Sequence, residues 1–236
     1  MRKIFLLLIC LLFTIGITAQ SFIGAWEGFS ESKEGLRIRT VISFADGYHV
    51  MSKFEADSGK FITTNGGAWK FTGDTMTQII EFDSSNPDQV GSEISFKVLI
   101  SDTEMTIVRE KIKYIRVDNG LPGKLQGVWL MSGRIRDGKT QMRDTAKPRK
   151  TMKVLSGTRF QWIAYNTETK QFMGTGGGTY TTLKGKYTEN IEFFSRDNSK
   201  AGLSLVFDYS LENGTWNHKG FSSKGVAMHE IWGVRK

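Results

Sequence analysis

The second half of the chain combines acidic, histidine and aromatic residues of the kinds that hold a small ligand. In stretches of alternating polarity, Glu189 and His218 fall on the same face as large apolar side chains. A carboxylate on such a face carries a desolvation cost unless it meets a cation, a donor or water. Small-molecule sites are usually apolar concavities with a few convergent polar groups. We therefore predict a site for a small amphipathic or glycan-like ligand, formed by Trp162, Tyr180, Tyr187, Glu189, Tyr209, His218 and Glu230.

The same residues leave other chemistries open. Glu189, Glu230 and His218 could supply a general acid and base with pKa values tuned by burial, as in a hydrolase or isomerase. His218 and the carboxylates could also bind a metal, although they lack a diagnostic ligand spacing. A further alternative is a solid core in which Glu189 and His218 pair with each other. We favour a non-enzymatic binding site that needs no cofactor and no metal.

Positive charge is concentrated between Arg134 and Lys153, where eight basic residues accompany two acids. Such a loop could meet lipid phosphates, acidic polysaccharide or a protein partner, or it could be a solvated insertion. Nucleic acid is not an expected partner, because the chain has an export signal and no recognition motif. The proposed anionic envelope surface would be contacted by Arg134, Arg136, Lys139, Arg143, Lys147, Arg149, Lys150 and Lys153.

The first 19 residues have the form of a secretory signal peptide. A cationic start precedes an apolar run over Ile4–Ile17, which is too short to span a bilayer, and Ala19 precedes a plausible cleavage point at Gln20. The expected location is therefore the periplasm or the cell exterior, and no integral membrane segment is expected. The single cysteine, Cys10, lies in this leader, so the mature chain would have no disulfide, thiolate nucleophile or cysteine zinc site.

The chain contains an internal repeat. Phe61–Trp69 aligns with Phe172–Tyr180, and the same offset continues through Ile80-Glu81-Phe82 and Ile191-Glu192-Phe193. A repeat of this length indicates a duplicated domain rather than a solenoid. The turn-rich segment Asp118-Asn119-Gly120-Leu121-Pro122-Gly123 separates the copies. We expect one domain over residues 20–118, a linker over 119–124 and a second domain over 125–236, after the signal peptide of residues 1–19.

Short apolar stretches between turn residues predict an all-β fold. The second copy contains eight such stretches and no convincing helix, which suits an up-and-down antiparallel barrel. Strict alternation would place Tyr187, Glu189, Ile191 and Phe193 inside the barrel, with Glu192 outside, solvated or paired across strands. The glycines at 174–178 are expected to permit a sharp bend or bulge. The first copy is expected to have a solid core.

The Gly24-Ala25-Trp26 and Gly127-Val128-Trp129 segments, with the ending Glu230-Ile231-Trp232-Gly233-Val234-Arg235, resemble lipocalin-like (calycin) barrels. The motifs Gly176-Gly177-Gly178-Thr179-Tyr180 and Tyr187–Ser195 are similar to an uncharacterised family of exported bacterial lipocalin-like proteins. This resemblance implies two tandem barrels of about eight strands and a secreted context, without an established reaction. It also implies that the first-strand tryptophan packs across the barrel base near a basic residue of the last strand.

Overall fold

The computed structural model describes residues 22–121 and 123–235, and the expected signal peptide with Cys10 lies outside them. The first eight strands pair antiparallel in sequence order and close through β1 and β8, which confirms the first barrel. Within the described residues, no helix is long and apolar enough to cross a membrane. The strands of this barrel are β1 (Gly24–Glu31), β2 (Arg37–Ala45), β3 (Tyr48–Glu55), β4 (Phe61–Thr72), β5 (Thr75–Asp83), β6 (Glu93–Ile100), β7 (Glu104–Ile107) and β8 (Ile112–Asp118).

The second barrel repeats this order and closes through the pairing of its first and last strands. It has one addition: β10 pairs with β9 alone and forms a hairpin within the basic insertion. Short 3-10 turns at Pro87–Gln89 and Asn198–Lys200 lie at equivalent points of the two copies. The strands are β9 (Gly127–Arg136), β10 (Lys139–Met142), β11 (Arg149–Leu155), β12 (Arg159–Asn166), β13 (Phe172–Leu183), β14 (Lys186–Phe194), β15 (Ser204–Glu212), β16 (Thr215–Phe221) and β17 (Ala227–Val234).

The first-strand tryptophans occupy equivalent places in the two barrels. The indole Nε1 of Trp26 donates to the Phe22 carbonyl at 3.0 Å, and that of Trp129 donates to the Leu125 carbonyl at 2.9 Å. In barrel 1 the guanidinium of Arg116, on the last strand, lies 4.0 Å from the centre of the Trp26 ring. This is the arrangement that the lipocalin-like resemblance implies. In barrel 2, Trp129 instead packs edge-on against Trp216.

A β-bulge corrects the expected orientation of β14. The register between β13 and β14 shifts where Gly177 pairs with Phe193 and Gly178 pairs with Ile191, so Glu192 is an extra residue. Ile191, before the bulge, lines the barrel interior as expected, whereas Phe193, after it, packs outside the barrel against Phe54. The prediction that Phe193 points inward is therefore wrong, because strict alternation does not hold across a bulge.

Barrel 1 carries the same bulge, with Gly66 opposite Phe82 and Gly67 opposite Ile80. A side chain at Gly67 or Gly178 would collide with a carbonyl oxygen of the neighbouring strand, which explains the glycines in the repeated motif. The two bulge residues are Glu81 and Glu192, which the sequence comparison placed on the outer face.

The outer faces that carry these glutamates pack against each other, so neither glutamate is a solvated surface residue. Glu81 accepts hydrogen bonds from Tyr165 Oη at 2.6 Å and from Arg235 Nη2 at 2.6 Å. Glu192 forms ion pairs with Arg159 and with Arg39 of the other barrel. Around these charges lie two apolar clusters that contain residues of both barrels: Ala45, Val50, Phe82, Val128, Met152, Val154, Ile163 and Tyr165, and Val41, Phe54 and Phe193. We call this contact the inter-barrel seam.

Asp118 links the end of barrel 1 to barrel 2 through hydrogen bonds. Its carboxylate accepts hydrogen bonds from the hydroxyls of Ser156 and Thr158 and from the backbone N–H groups of Gly120, Gly157 and Thr158. Burial alone would raise the pKa of Asp118, but these hydrogen bonds outweigh it and hold the pKa below its ordinary value. The last residue of barrel 1 is thereby bound to the β11–β12 turn of barrel 2.

Candidate ligand-binding site

Barrel 2 contains a cavity of about 450 Å³ that opens at one end. This volume is within the range of small-molecule sites. The opposite end is closed by the buried aromatic cluster that includes Trp129, Tyr180, Tyr187 and Trp216. The walls are mainly apolar and include Trp162, Ile191, Phe194, Leu205, Phe207 and Met228. The cavity is therefore an apolar chamber whose depth is limited by the core of the barrel.

A buried ion pair lies at the cavity floor. Lys153 Nζ donates to Glu189 Oε1 at 2.8 Å, and the two side chains are 4% and 6% exposed. The ammonium also lies about 5 Å from three aromatic ring centres: 5.1 Å from Tyr187, 4.8 Å from Trp216 and 5.0 Å from Trp232. Both the carboxylate and the negative faces of the rings stabilise the buried cation. The cost of burying Glu189 is thus offset by Lys153 rather than by His218.

The prediction that Lys153 contacts an anionic envelope surface is therefore wrong, because this side chain is buried inside barrel 2. Successive residues of β11 alternate between the seam and the barrel interior, with Met152 and Val154 at the seam. Arg149, Thr151 and Lys153 consequently face the cavity, from the mouth to the floor. The alternation Thr151, Lys153, Leu155 in the sequence was the signal that could have identified this lysine.

His218 and Glu230 form the second polar pair of the cavity. His218 Nδ1 lies 3.2 Å from Glu230 Oε2, which also accepts from Trp232 Nε1 at 3.1 Å. Burial lowers the pKa of His218, and the charge of Lys153 lowers it further, so the ring is neutral at pH 7. Burial would raise the pKa of Glu230, but the His218 hydrogen bond, the Lys153 charge and the Trp232 indole together bring it below its ordinary value. Glu230 is therefore a carboxylate at neutral pH.

The tautomer of His218 follows from this pairing. A carboxylate only accepts hydrogen bonds, so the proton of the neutral ring is on Nδ1 and Nε2 is a bare acceptor. His218 is 1% exposed, and Nε2 has no hydrogen-bond partner among the described residues. This nitrogen is a buried, unpaired acceptor of a residue that lines the cavity.

The structure brings four of the seven sequence-predicted ligand residues to this cavity: Trp162, Glu189, His218 and Glu230. Tyr180 lies in the closed end, where its hydroxyl donates to the Ser156 carbonyl at 2.7 Å. Tyr187 is completely buried in the same cluster, and burial together with the nearby Glu189 charge raises its pKa. Tyr209 packs against that cluster as well. The alternation of polarity correctly placed Glu189 and His218 on an inner face with large apolar side chains.

The basic segment divides into two groups. Arg134, Arg143 and Arg149 line the cavity mouth. Arg136, Lys139 and Lys147 are exposed outside the cavity, and Lys150 Nζ donates to the carbonyls of Thr145 and Lys147. Sequence reasoning did not connect the first group with the cavity. It also missed Arg196, which lies on the rim, and Phe194, which the bulge turns inward.

The arrangement does not contain the pairing of Glu189 with His218 that the solid-core alternative predicted. Each residue has another partner: Lys153 for Glu189 and Glu230 for His218. Among residues 22–121 and 123–235, no three His, Cys, Asp or Glu side chains form a group that could hold a metal ion. The described groups can position a ligand through hydrogen bonds and charge.

Comparisons with known proteins add a structural likeness. No protein-family model matches the chain, and no curated protein sequence matches it. Among solved structures, the chain is similar to the Cpx pathway activator NlpE from Escherichia coli, with 13% sequence identity over 90% of this chain and 92% of that chain. The TM-score is 0.26, so the likeness carries no argument about function. The strand order and barrel closure described above show two tandem antiparallel up-and-down barrels.

Proposed function

We propose that this protein is an exported, non-enzymatic binding protein whose second barrel holds a small amphipathic or glycan-like ligand. The observation that carries the proposal is the cavity of about 450 Å³, with apolar walls, a polar floor and an open mouth. A structural core gains nothing from such a space, because unfilled apolar volume costs stability. The aromatic walls would bury the apolar part of the ligand, and the polar groups would fix its orientation.

The remaining parts of this proposal concern location and domains. We place the protein in the periplasm or outside the cell, with cleavage near Ala19 and Gln20. We assign residues 20–118 and 125–236 to two domains of a lipocalin-like family, joined by the linker 119–124. Barrel 1 serves a structural or partner-facing role, since Trp26, Met76, Met105 and Tyr114 fill its core.

Native mass spectrometry and solvent extraction of the purified protein test the binding function. Leu205 lines the cavity, whereas Val206, the next residue of β15, is 55% exposed on the outer face. We expect Leu205→Trp to reduce the amount of bound molecule because the indole fills the chamber. Val206→Trp, the matched control, should keep the occupancy of the wild-type protein. Equal occupancy in the two variants, or an extract without any bound molecule, would contradict the proposal.

A second function, contact with an anionic envelope surface, is favoured by the exposed cations outside the cavity. Arg136 and Lys139 lie on the β9–β10 hairpin, and Phe221 and Val226 are 64% and 63% exposed near the same end of the barrel. Basic residues beside exposed apolar side chains are typical of surfaces that bind anionic lipid headgroups. We expect Arg136→Glu/Lys139→Glu to weaken sedimentation with vesicles that contain anionic lipid at low salt. Unchanged sedimentation would contradict this second proposed function.

A further inference from the structure

The charges of the barrel 2 cavity are separated along its depth. The mouth carries Arg134, Arg143, Arg149 and Arg196, and the floor carries Lys153 with Glu189 and Glu230. With His218 neutral, the floor has one more negative than positive charge, whereas the mouth has only positive charges. A bound molecule therefore meets opposite electrostatic environments at its two ends.

The arginines of the mouth have no carboxylate partner among the described residues. Arg134 Nε donates to the neutral amide oxygen of Gln141 at 2.8 Å, and Arg196 donates to the Met173 carbonyl. Arg143 contacts the sulfur of Met131. Burial lowers the pKa of Arg143, and the charges of Arg149 and Arg134 lower it further, while the charge of Glu230 opposes this shift only in part. The guanidinium of Arg143 is thus within electrostatic reach of both other arginines. An anion between them would relieve this mutual repulsion.

The floor is unsuited to an anion. Glu189 and Glu230 would repel it, and the bare Nε2 of His218 can accept a hydrogen bond but has no proton to donate. The apolar walls between the two ends, which include Trp162 and Phe194, fit the body of a molecule that carries a charge at one end only.

We propose that barrel 2 selects amphipathic anions, with the anionic group bound by Arg134, Arg143 and Arg149 at the mouth and the apolar body against the wall that the edge-on pair Trp162 and Phe194 forms. This inference rests on the proposed binding function and specifies its ligand class. Guanidinium groups suit the task because they form charge-assisted, bidentate hydrogen bonds to carboxylate, sulfonate or phosphate oxygens. The arginines at the mouth select ligands that carry an anionic group, and the wall contacts the apolar body of the ligand.

A matched pair of fluorescent probes tests the selectivity. Anilinonaphthalene sulfonate and N-phenylnaphthylamine have the same aromatic body, and only the first carries a sulfonate. We expect the wild-type protein to bind the sulfonate probe at least about tenfold more tightly. Arg143→Gln/Arg149→Gln should abolish most of this preference and leave binding of the neutral probe within about twofold. The control Arg136→Gln/Lys139→Gln removes the same charge from exposed positions outside the cavity and should keep the preference.

The outcomes separate the two proposals. If both probes bind equally, or if the mouth variant and the control weaken the sulfonate probe to the same extent, anion selection at the mouth is wrong, although a binding cavity remains supported. If neither probe binds, or if Leu205→Trp fails to reduce binding of either probe, the binding function itself is contradicted and the selectivity with it. Circular dichroism of each variant verifies that the barrels are folded.

Discussion

Among single residues, Lys153 and Glu189 carry the strongest consequences for stability and for the site. Both are almost fully buried, and each is the other's only oppositely charged partner within ion-pair distance in the part of the chain that the structure describes. Buried charges are tolerated only as pairs, because a single uncompensated ion keeps its desolvation cost without the attraction that offsets it. The pair also fixes the polarity of the cavity floor.

Lys153→Met tests this dependence. The substitution leaves the buried Glu189 carboxylate without its cation, so we expect the free energy of unfolding to fall by about 3–5 kcal/mol. Lys153→Met/Glu189→Met removes both charges and should lose clearly less than the two single substitutions added together. Urea denaturation of the four proteins measures the coupling. Strictly additive losses would mean that the pair does not interact in solution.

His49 makes the stability of barrel 1 dependent on pH. Burial lowers its pKa from 6.5 to about 4, while the hydrogen bond to the Gly67 carbonyl and the charge of Glu81 oppose the shift only in part. The unfolded chain binds a proton below about pH 6.5, whereas the native ring stays neutral until about pH 4. Stability is therefore complete above pH 6.5 and decreases as the pH falls toward 4, by about 3 kcal/mol from this residue.

The matching experiment compares urea denaturation of the wild-type protein and His49→Asn near pH 7 and near pH 4. The variant should lose much less stability between the two conditions, because it has no group at this position that binds a proton. His218, whose pKa is also lowered, contributes with the same sign and remains in both proteins. An identical pH dependence in the two proteins would refute the assignment to His49.

Among elements, the repeated β-bulge has the largest effect on the site. It turns Phe194 into the cavity, beside Ile191, and directs Phe193 to the seam. The glycine run in β13 is needed because Gly178 lies too close to the Asn190 carbonyl for any side chain. One local irregularity thus shapes both the cavity wall and the contact between the barrels.

Gly178→Ala tests the role of the bulge. The added methyl group collides with backbone of β14, which cannot move away as a flexible side chain would, so we expect a loss of about 2–4 kcal/mol. Thr181→Ala, at an exposed position of the same strand, should change the free energy of unfolding by less than about 1 kcal/mol. Comparable thermal unfolding of the two variants would contradict the proposed close contact.

The sequence predicted the strands well, but it predicted the direction of individual side chains less well. Turn spacing and the internal repeat correctly indicated two all-β barrels, because strand alternation and turn chemistry are local signals. Alternation also placed Trp162, Glu189, His218 and Glu230 inside barrel 2. It failed at Phe193, since a bulge changes the parity of every later residue in the strand. The partnership of Lys153 with Glu189 was missed because it joins strands that are distant in sequence and was hidden in a run of surface charges.

At the scale of the whole molecule, the two barrels share the inter-barrel seam. Sequence comparison of the copies identified Glu81 and Glu192 as repeated but gave no sign that they meet the opposite barrel. Their partners, Arg235 and Arg39, lie outside the aligned motif, so only the folded arrangement reveals the ion pairs. A seam that combines apolar clusters with buried charges is expected to couple the folding of both barrels.

Calorimetry tests this coupling. We expect the mature protein to unfold in one transition in which the calorimetric and van't Hoff enthalpies agree. Phe54→Ala/Phe193→Ala removes stacked rings from the seam and should separate or broaden the transition. Asp74→Ala removes the exposed ion pair with Lys97 and the exposed hydrogen bond from Thr75, away from the seam, and should preserve a single transition. Two separate transitions in the wild-type protein would show that the seam does not couple the barrels.

The central claim is that barrel 2 holds an amphipathic anion in an open cavity, and a crystal structure with anilinonaphthalene sulfonate tests it most directly. We predict that the naphthalene lies in the chamber against Trp162 and Phe194, with the sulfonate among Arg134, Arg143 and Arg149. A probe bound elsewhere, such as in the groove between the barrels beside Phe44 and Leu155, would contradict the account. A chamber filled by the protein's own side chains would do so as well.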